Sequence, residues 1–212
     1  MYWLLMSHIL ALVPCVICFN TYWKTKNYQA AYTGLQIGFT AIFSVFYHTY
    51  DYDNIDIDVV LHTYDSWALL DHWASPSVIL TTILYILRFR TEVFYCLSYL
   101  CSITFLVGTL AHSVFMEFVV LFSAGFFILI KYRSVLRYLR NFPRLSASGL
   151  FILGAAIFCY YYASIGDFQL WHSLWHFCIF ASAGIFCRIR EKIDRLLNVP
   201  GETYQRTTTE SI

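Results

Sequence analysis

Apolar runs of about twenty residues recur along the chain from its first residues to about position 187. A run of that length matches what an α-helix needs to cross a hydrocarbon layer of about 30 Å. Seven such runs are read, over about 2–23, 28–48, 66–87, 93–111, 113–130, 146–165 and 169–187. They are continuous rather than alternating, and since lipid tolerates only helices and closed barrels, they argue for helices. Composition agrees: 59% of the 212 residues are hydrophobic and only 13% are charged, far from the roughly one-quarter charged content of a soluble domain. The expected fold is therefore an all-α membrane protein, a seven-transmembrane helix bundle. It forms one domain over 1–190, followed by a flexible cytosolic tail over 191–212. The first run lacks the basic leader and small-residue cleavage site of a signal peptide and is read as a retained span.

The formal net charge of +1 hides a segregation. Lys24 and Lys26 follow the first run, Arg88 and Arg90 the third, and Lys131, Arg133, Arg137, Arg140 and Arg144 the fifth. Arg188, Arg190, Lys192, Arg195 and Arg206 follow the seventh. With alternating spans these all fall on one side, which by the excess of basic residues in cytoplasmic loops is the cytosolic one. The amino terminus is then outside or lumenal and the carboxyl terminus cytosolic, in the plasma membrane or a membrane of the secretory pathway. The opposite side is acidic, with Asp51, Asp53, Asp56 and Asp58 in a loop whose spacing lacks the Gly and Glu of a calcium-binding EF-hand. Nothing in this balance points to nucleic acid. The partners considered are membrane lipids, as substrate or ligand, and a second copy of the chain.

Ionisable groups inside spans are costly and tend to mark function. His48 ends the second run, Asp71 lies early in the third, and His172 and His176 open the seventh. Alternation places all four at the outer end. His172 and His176 are spaced i, i+4, so both imidazoles share one helix face. A lone membrane histidine is more often a hydrogen-bonded structural group, but three histidines at one depth form the usual ligand set of catalytic zinc, with one position left open. Zn2+ held by His48, His172 and His176 is therefore expected. Ser44, one turn before His48, is either a partner in this site or a hydroxyl bonded back to its own helix. Asp71 would orient a water at the metal and take its proton, or else fix a histidine N–H; Asp51 and Asp65 are further candidates to hold a histidine ring. His8, His62, His72 and His112, at or near the outer ends, lack paired spacing; any one could support a ligand ring, and the favoured reading is interfacial. Cys15-x-x-Cys18 has no partner pair to make a zinc knuckle, and Cys187, beside Arg188, is a palmitoylation candidate.

Phe43-Ser44-Val45-Phe46-Tyr47-His48 with Asp51, Tyr64-Asp65 before Asp71, and His172-Ser173-Leu174-Trp175-His176 resemble the seven-span transmembrane protein 8 family, which includes myomaker. That family lies in the CREST superfamily with the alkaline ceramidases and the adiponectin and progestin (PAQR) receptors. The resemblance implies an intramembrane zinc site built from Ser44, His48, Asp71, His172 and His176. It departs from the family pattern after the second run, where an acidic stretch replaces a cysteine pair. Two functions follow as expectations. One is a zinc-dependent intramembrane lipid hydrolase of an ester or amide bond, ceramidase-like or like a phospholipase acting on GPI anchors, with Asp71 as general base and Ser44 supporting the oxyanion. The other is a non-catalytic, myomaker-like fusion or adhesion factor in which zinc only ties spans together. A ligand-sensing receptor is disfavoured by the short cytosolic loops.

Overall fold

A computed structural model describes residues 2–53, 64–111 and 115–197. Among these the chain is helical throughout: α1 (Tyr2–Ile9), α2 (Leu12–Thr25), α3 (Tyr28–Asp53), α4 (Tyr64–Ile86), α5 (Thr91–Leu110), α6 (Met116–Ile130), α7 (Tyr132–Asn141), α8 (Pro143–Ala163) and α9 (Phe168–Leu197). Local chemistry sets several starts. Asn27 caps α3 by accepting from the backbone N–H of Gln29 at 3.0 Å, Pro143 opens α8 where its missing N–H costs nothing, and the Asp167 carboxylate accepts from Leu170 N–H at the start of α9.

Five helices are long and apolar enough to cross a membrane, within α1–α2, α3, α5, α8 and α9, and a sixth is added if α6 and α7 form one bent span. The molecule is a multi-pass membrane protein. Its outer surface is correspondingly apolar, with Phe151 79% and Phe122 77% exposed, which water would penalise and lipid welcomes. α4 has the length but not the apolarity, because Asp71, Ser77, Thr81 and Thr82 lie along it, and all four are buried. Its apolar residues Leu80, Leu84 and Tyr85 join Phe94, Phe105 and Cys187 in the main core. α4 thus carries buried polar groups inside the bundle, Ser77 donating back to Trp73 O and Ser75 to Asp71 on the same helix.

Three boundaries differ from the sequence expectation. The stretch 131–144, read as a loop, contains α7, which meets α6 at a bend of 75°. Arg133, Arg137 and Arg140, at i, i+4 and i+7, are exposed on one face, while Tyr138 is buried on the other and donates its hydroxyl hydrogen to Ile86 O. α3 extends to Asp53, so Asp51 and Asp53 end a helix rather than sit in a loop; residues 54–58 lie outside the described residues. α9 runs to Leu197, seven residues into the segment expected as a tail. The extension is held by charge pairing. Glu191 is fully buried and meets Arg188, Arg195, Lys24 and the Asn20 amide, while Asp194 meets Arg190 at 2.8 Å, Arg88 and the Asn27 amide. Arg88, just past α4, has its pKa pushed below the ordinary guanidinium value by burial, with Arg190 adding to the effect and Asp194 opposing it.

Two glycines bring helices together. A Cβ on Gly34 would stand 3.1 Å from Cys18 Cβ, and one on Gly149 only 2.9 Å from the Phe186 ring. Ser182 Oγ donates to Gly149 O at 3.1 Å across the α8–α9 contact.

Candidate metal centre

Histidine side chains from three helices meet at one end of the bundle. His48 comes from the last turns of α3, His172 and His176 from the first turns of α9, and His8 from the end of α1. His172 Nε2 lies 3.3 Å from His48 Nε2 and 3.1 Å from His176 Nε2. His8, His48 and His176, all buried, offer ligand atoms within 4.8 Å of one another. The His8 and His176 rings are 4.1 Å apart between centroids. Phe180 stacks on His176, and Phe168 on His172, so the polar cluster is walled by aromatic rings.

The two candidate catalytic groups join it. Ser44 Oγ is 2.9 Å from His8 Nε2, and the Asp71 carboxylate, buried on α4, accepts the Ser75 hydroxyl at 3.2 Å. A serine has one proton, so the His8 tautomer sets which of the two, Ser44 or His8, donates to the other.

Beside the cluster lies a cavity of about 140 Å³, lined by α3, α4, α8 and α9. Ser44, Ser75 and His176 stand at one end of it, and Ile86 and Phe186 at the other. From His176 to Phe186 along α9 is about 15 Å at helical rise, half the thickness of a bilayer core. Between those ends the lining is mainly aliphatic, as at Ile37, Val78 and Ile179.

Residues 3–177 match the family described as "Protein of unknown function (DUF3522)". The chain belongs to this family. No curated protein matches the chain. The family description names no chemistry, so the residues themselves must carry the reading.

They fit a divalent metal. Each imidazole nitrogen is either one donor or one acceptor, so His172 Nε2 cannot satisfy two close nitrogen neighbours by hydrogen bonds. A cation at their shared focus can satisfy all of them. For zinc with nitrogen ligands at about 2.0–2.1 Å in tetrahedral geometry, neighbouring nitrogens are about 3.3 Å apart, close to the 3.3 and 3.1 Å found here.

The structure brings together Ser44, His48, His172 and His176 of the five residues expected to form the site, and buries the fifth, Asp71, on α4, where it accepts from Ser75. It also adds one that the sequence reading missed. His8, read as interfacial, is 3% exposed and inside the cluster. Its signal was its place in an apolar run, between Leu4-Leu5-Met6 and Ile9-Leu10, where an ionisable side chain is as costly as at position 48. His72, by contrast, is exposed beside the Tyr47 ring, as an interfacial residue would be, and His62 and His112 lie outside the described residues. Asp65 is exposed on the first turn of α4, and the Asp51 side chain lies outside the described residues. Cys187 is corrected. It is fully buried with its Sγ 3.8 Å from that of Cys18, so no acyl chain could be attached there without opening the packing between α2 and α9.

Proposed function

We propose that the chain is a zinc-dependent intramembrane lipid hydrolase of the transmembrane protein 8 type, acting on an ester or amide bond. The observation that carries this reading is the convergence of histidine nitrogens and Ser44 at one end of an apolar cavity about one leaflet deep. His48, His172 and His176 would hold the ion, which when bound supplies a Lewis acid and lowers the pKa of water to about 7.

The chain's own groups then divide the work. The cavity takes an acyl chain and leaves its carbonyl end beside Ser44 and His176. Asp71, buried and accepting from the Ser75 hydroxyl, takes the proton of the attacking water. The Ser44 hydroxyl, which lines the cavity, turns toward the substrate oxygen where negative charge develops. The aromatic wall excludes bulk water, which strengthens each of these interactions. A seven-span count, taking in α4 and the bent α6–α7 pair, together with the basic residues gathered at the other end, supports an amino terminus outside and a site near the outer face.

The test combines metal analysis with turnover. Purified protein should hold about one zinc per chain, and His172→Ala/His176→Ala should hold none. Fluorescent-acyl phospholipid and ceramide in mixed micelles should be cleaved by the unmodified protein, with Asp71→Ala slower by about 10²–10⁴-fold at unchanged zinc content. No zinc in the unmodified protein ends the hydrolase reading. Zinc without cleavage, with cell fusion surviving Asp71→Ala but not His48→Ala, would leave the metal as a tie between α3 and α9.

A further inference from the structure

The hydrolase reading uses three histidines, and the cluster holds four. We infer that His8 is a fourth ligand of the same metal and that α1 acts as a plug, closing at rest the coordination position that water would need. The inference rests on the metal reading above and concerns how that site is regulated.

Position argues for it first. His8, His48 and His176 present ligand atoms within 4.8 Å of one another, and the His8 ring lies closer to His176 than to any other cluster ring, at 4.1 Å against 5.7 Å for His48. Orientation argues for it second. His8 Nε2 lies 2.9 Å from Ser44 Oγ, and in the tautomer that donates Nε2–H there the lone pair is on Nδ1. A ligating histidine almost always has this arrangement, one nitrogen for the metal and the other N–H given to an anchored oxygen. Ser44 Oγ offers such an anchor.

The element that carries His8 is suited to leaving. α1 is a separate eight-residue helix, and the chain breaks at Leu10 and Ala11 before α2 resumes. A small rotation at that joint withdraws His8 without disturbing α3 or α9, which carry the other three imidazoles. Four protein ligands make a closed site, and three leave an open position. Departure of His8 would also free the Ser44 oxygen and leave Asp71 beside the opened position. Hydrolysis would then require a step in which α1 moves, set by whatever lipid occupies the cavity next to Ser44.

Cobalt(II) exchanged for zinc in the full-length protein in detergent reads the coordination directly, independently of turnover. The visible spectrum of the unmodified protein should be that of a four-nitrogen tetrahedral site and should not respond to azide, which needs an open position. His8→Ala should respond to azide and, in competition with a chromogenic chelator, bind zinc at least about tenfold more weakly, since losing even an outer partner of a ligand typically costs 10–100-fold. Ser44→Ala, which keeps all four imidazoles, should stay silent to azide. An azide response in the unmodified protein overturns the inference, as does a His8→Ala spectrum and affinity equal to the unmodified protein's. An azide response in Ser44→Ala matching that of His8→Ala overturns it too, because His8 would then be holding Ser44 and not the ion. If the unmodified protein binds neither cobalt nor zinc, the metal reading itself falls, a result distinct from all of these.

Discussion

Ser44 shows how one hydroxyl can serve several groups in turn. Its oxygen lies 2.9 Å from His8 Nε2 and it also lines the cavity, so it stands between the histidine cluster and the space a substrate would fill. Ser44→Ala is expected to keep its zinc, because no ligand is removed, yet to lower the cleavage rate by about 10²–10³-fold, the usual cost of losing one donor to a developing oxyanion. Zinc content and initial rate measured on the same preparation check this, and loss of zinc together with rate would mean that Ser44 matters for the metal instead. At this scale the sequence was informative where a period exposed geometry. His172 and His176 are read together because i, i+4 is a helix face, and Ser44 with His48 for the same reason. His8 has no partner within its own helix, and its neighbours come from α3 and α9, which local spacing cannot reveal.

Helices divide in the same way between what a run of residues dictates and what packing decides. α3, α5 and α8 follow from apolar runs of the right length. α7 was hidden because five basic residues in fourteen look like a loop when counted and like an amphipathic face only when spaced around a helix. The end of α9 was hidden because Glu191 and Asp194 look solvated until their partners from α2, α3 and the α4–α5 turn are known. Close helix approach is also a packing property. On α8, a Cβ at Gly149 would press the Phe186 ring at 2.9 Å and Ile185 at 3.2 Å, whereas one at Gly154 would meet nothing within 4 Å. Gly149→Leu should therefore destabilise the protein by about 1–3 kcal/mol through overpacking, while Gly154→Leu should change stability little. Unfolding titrations in mixed micelles compare the two. Because Phe186 also lines the cavity, the first substitution should lower lipid cleavage as well.

Across the whole molecule, the candidate metal centre and the buried ion pairs occupy opposite ends. His172 and Arg190 are both on α9, about 27 Å apart at helical rise, and Asp71 and Arg88 are separated by a similar length of α4. That distance is close to the thickness of a hydrocarbon core, so the two clusters sit near opposite faces of the membrane. Lys24, Arg88, Arg188, Arg190 and Arg195 gather at the end away from the histidines, around Glu191 and Asp194. A basic end is retained on the cytosolic side during insertion, because moving such charges across the bilayer is unfavourable. On the proposed topology the site end is exoplasmic, and the substrate proposed for it is a lipid of the outer or lumenal leaflet, its headgroup bond at the histidines and its acyl chain in the cavity. An epitope tag after Ile212 should accordingly be stained only in permeabilised cells, and one placed before Met1 in intact cells as well, or within the lumen of sealed microsomes. Staining of the carboxyl-terminal tag on intact cells would invert the assignment, turning the site, the cavity and the leaflet it draws from toward the cytosol.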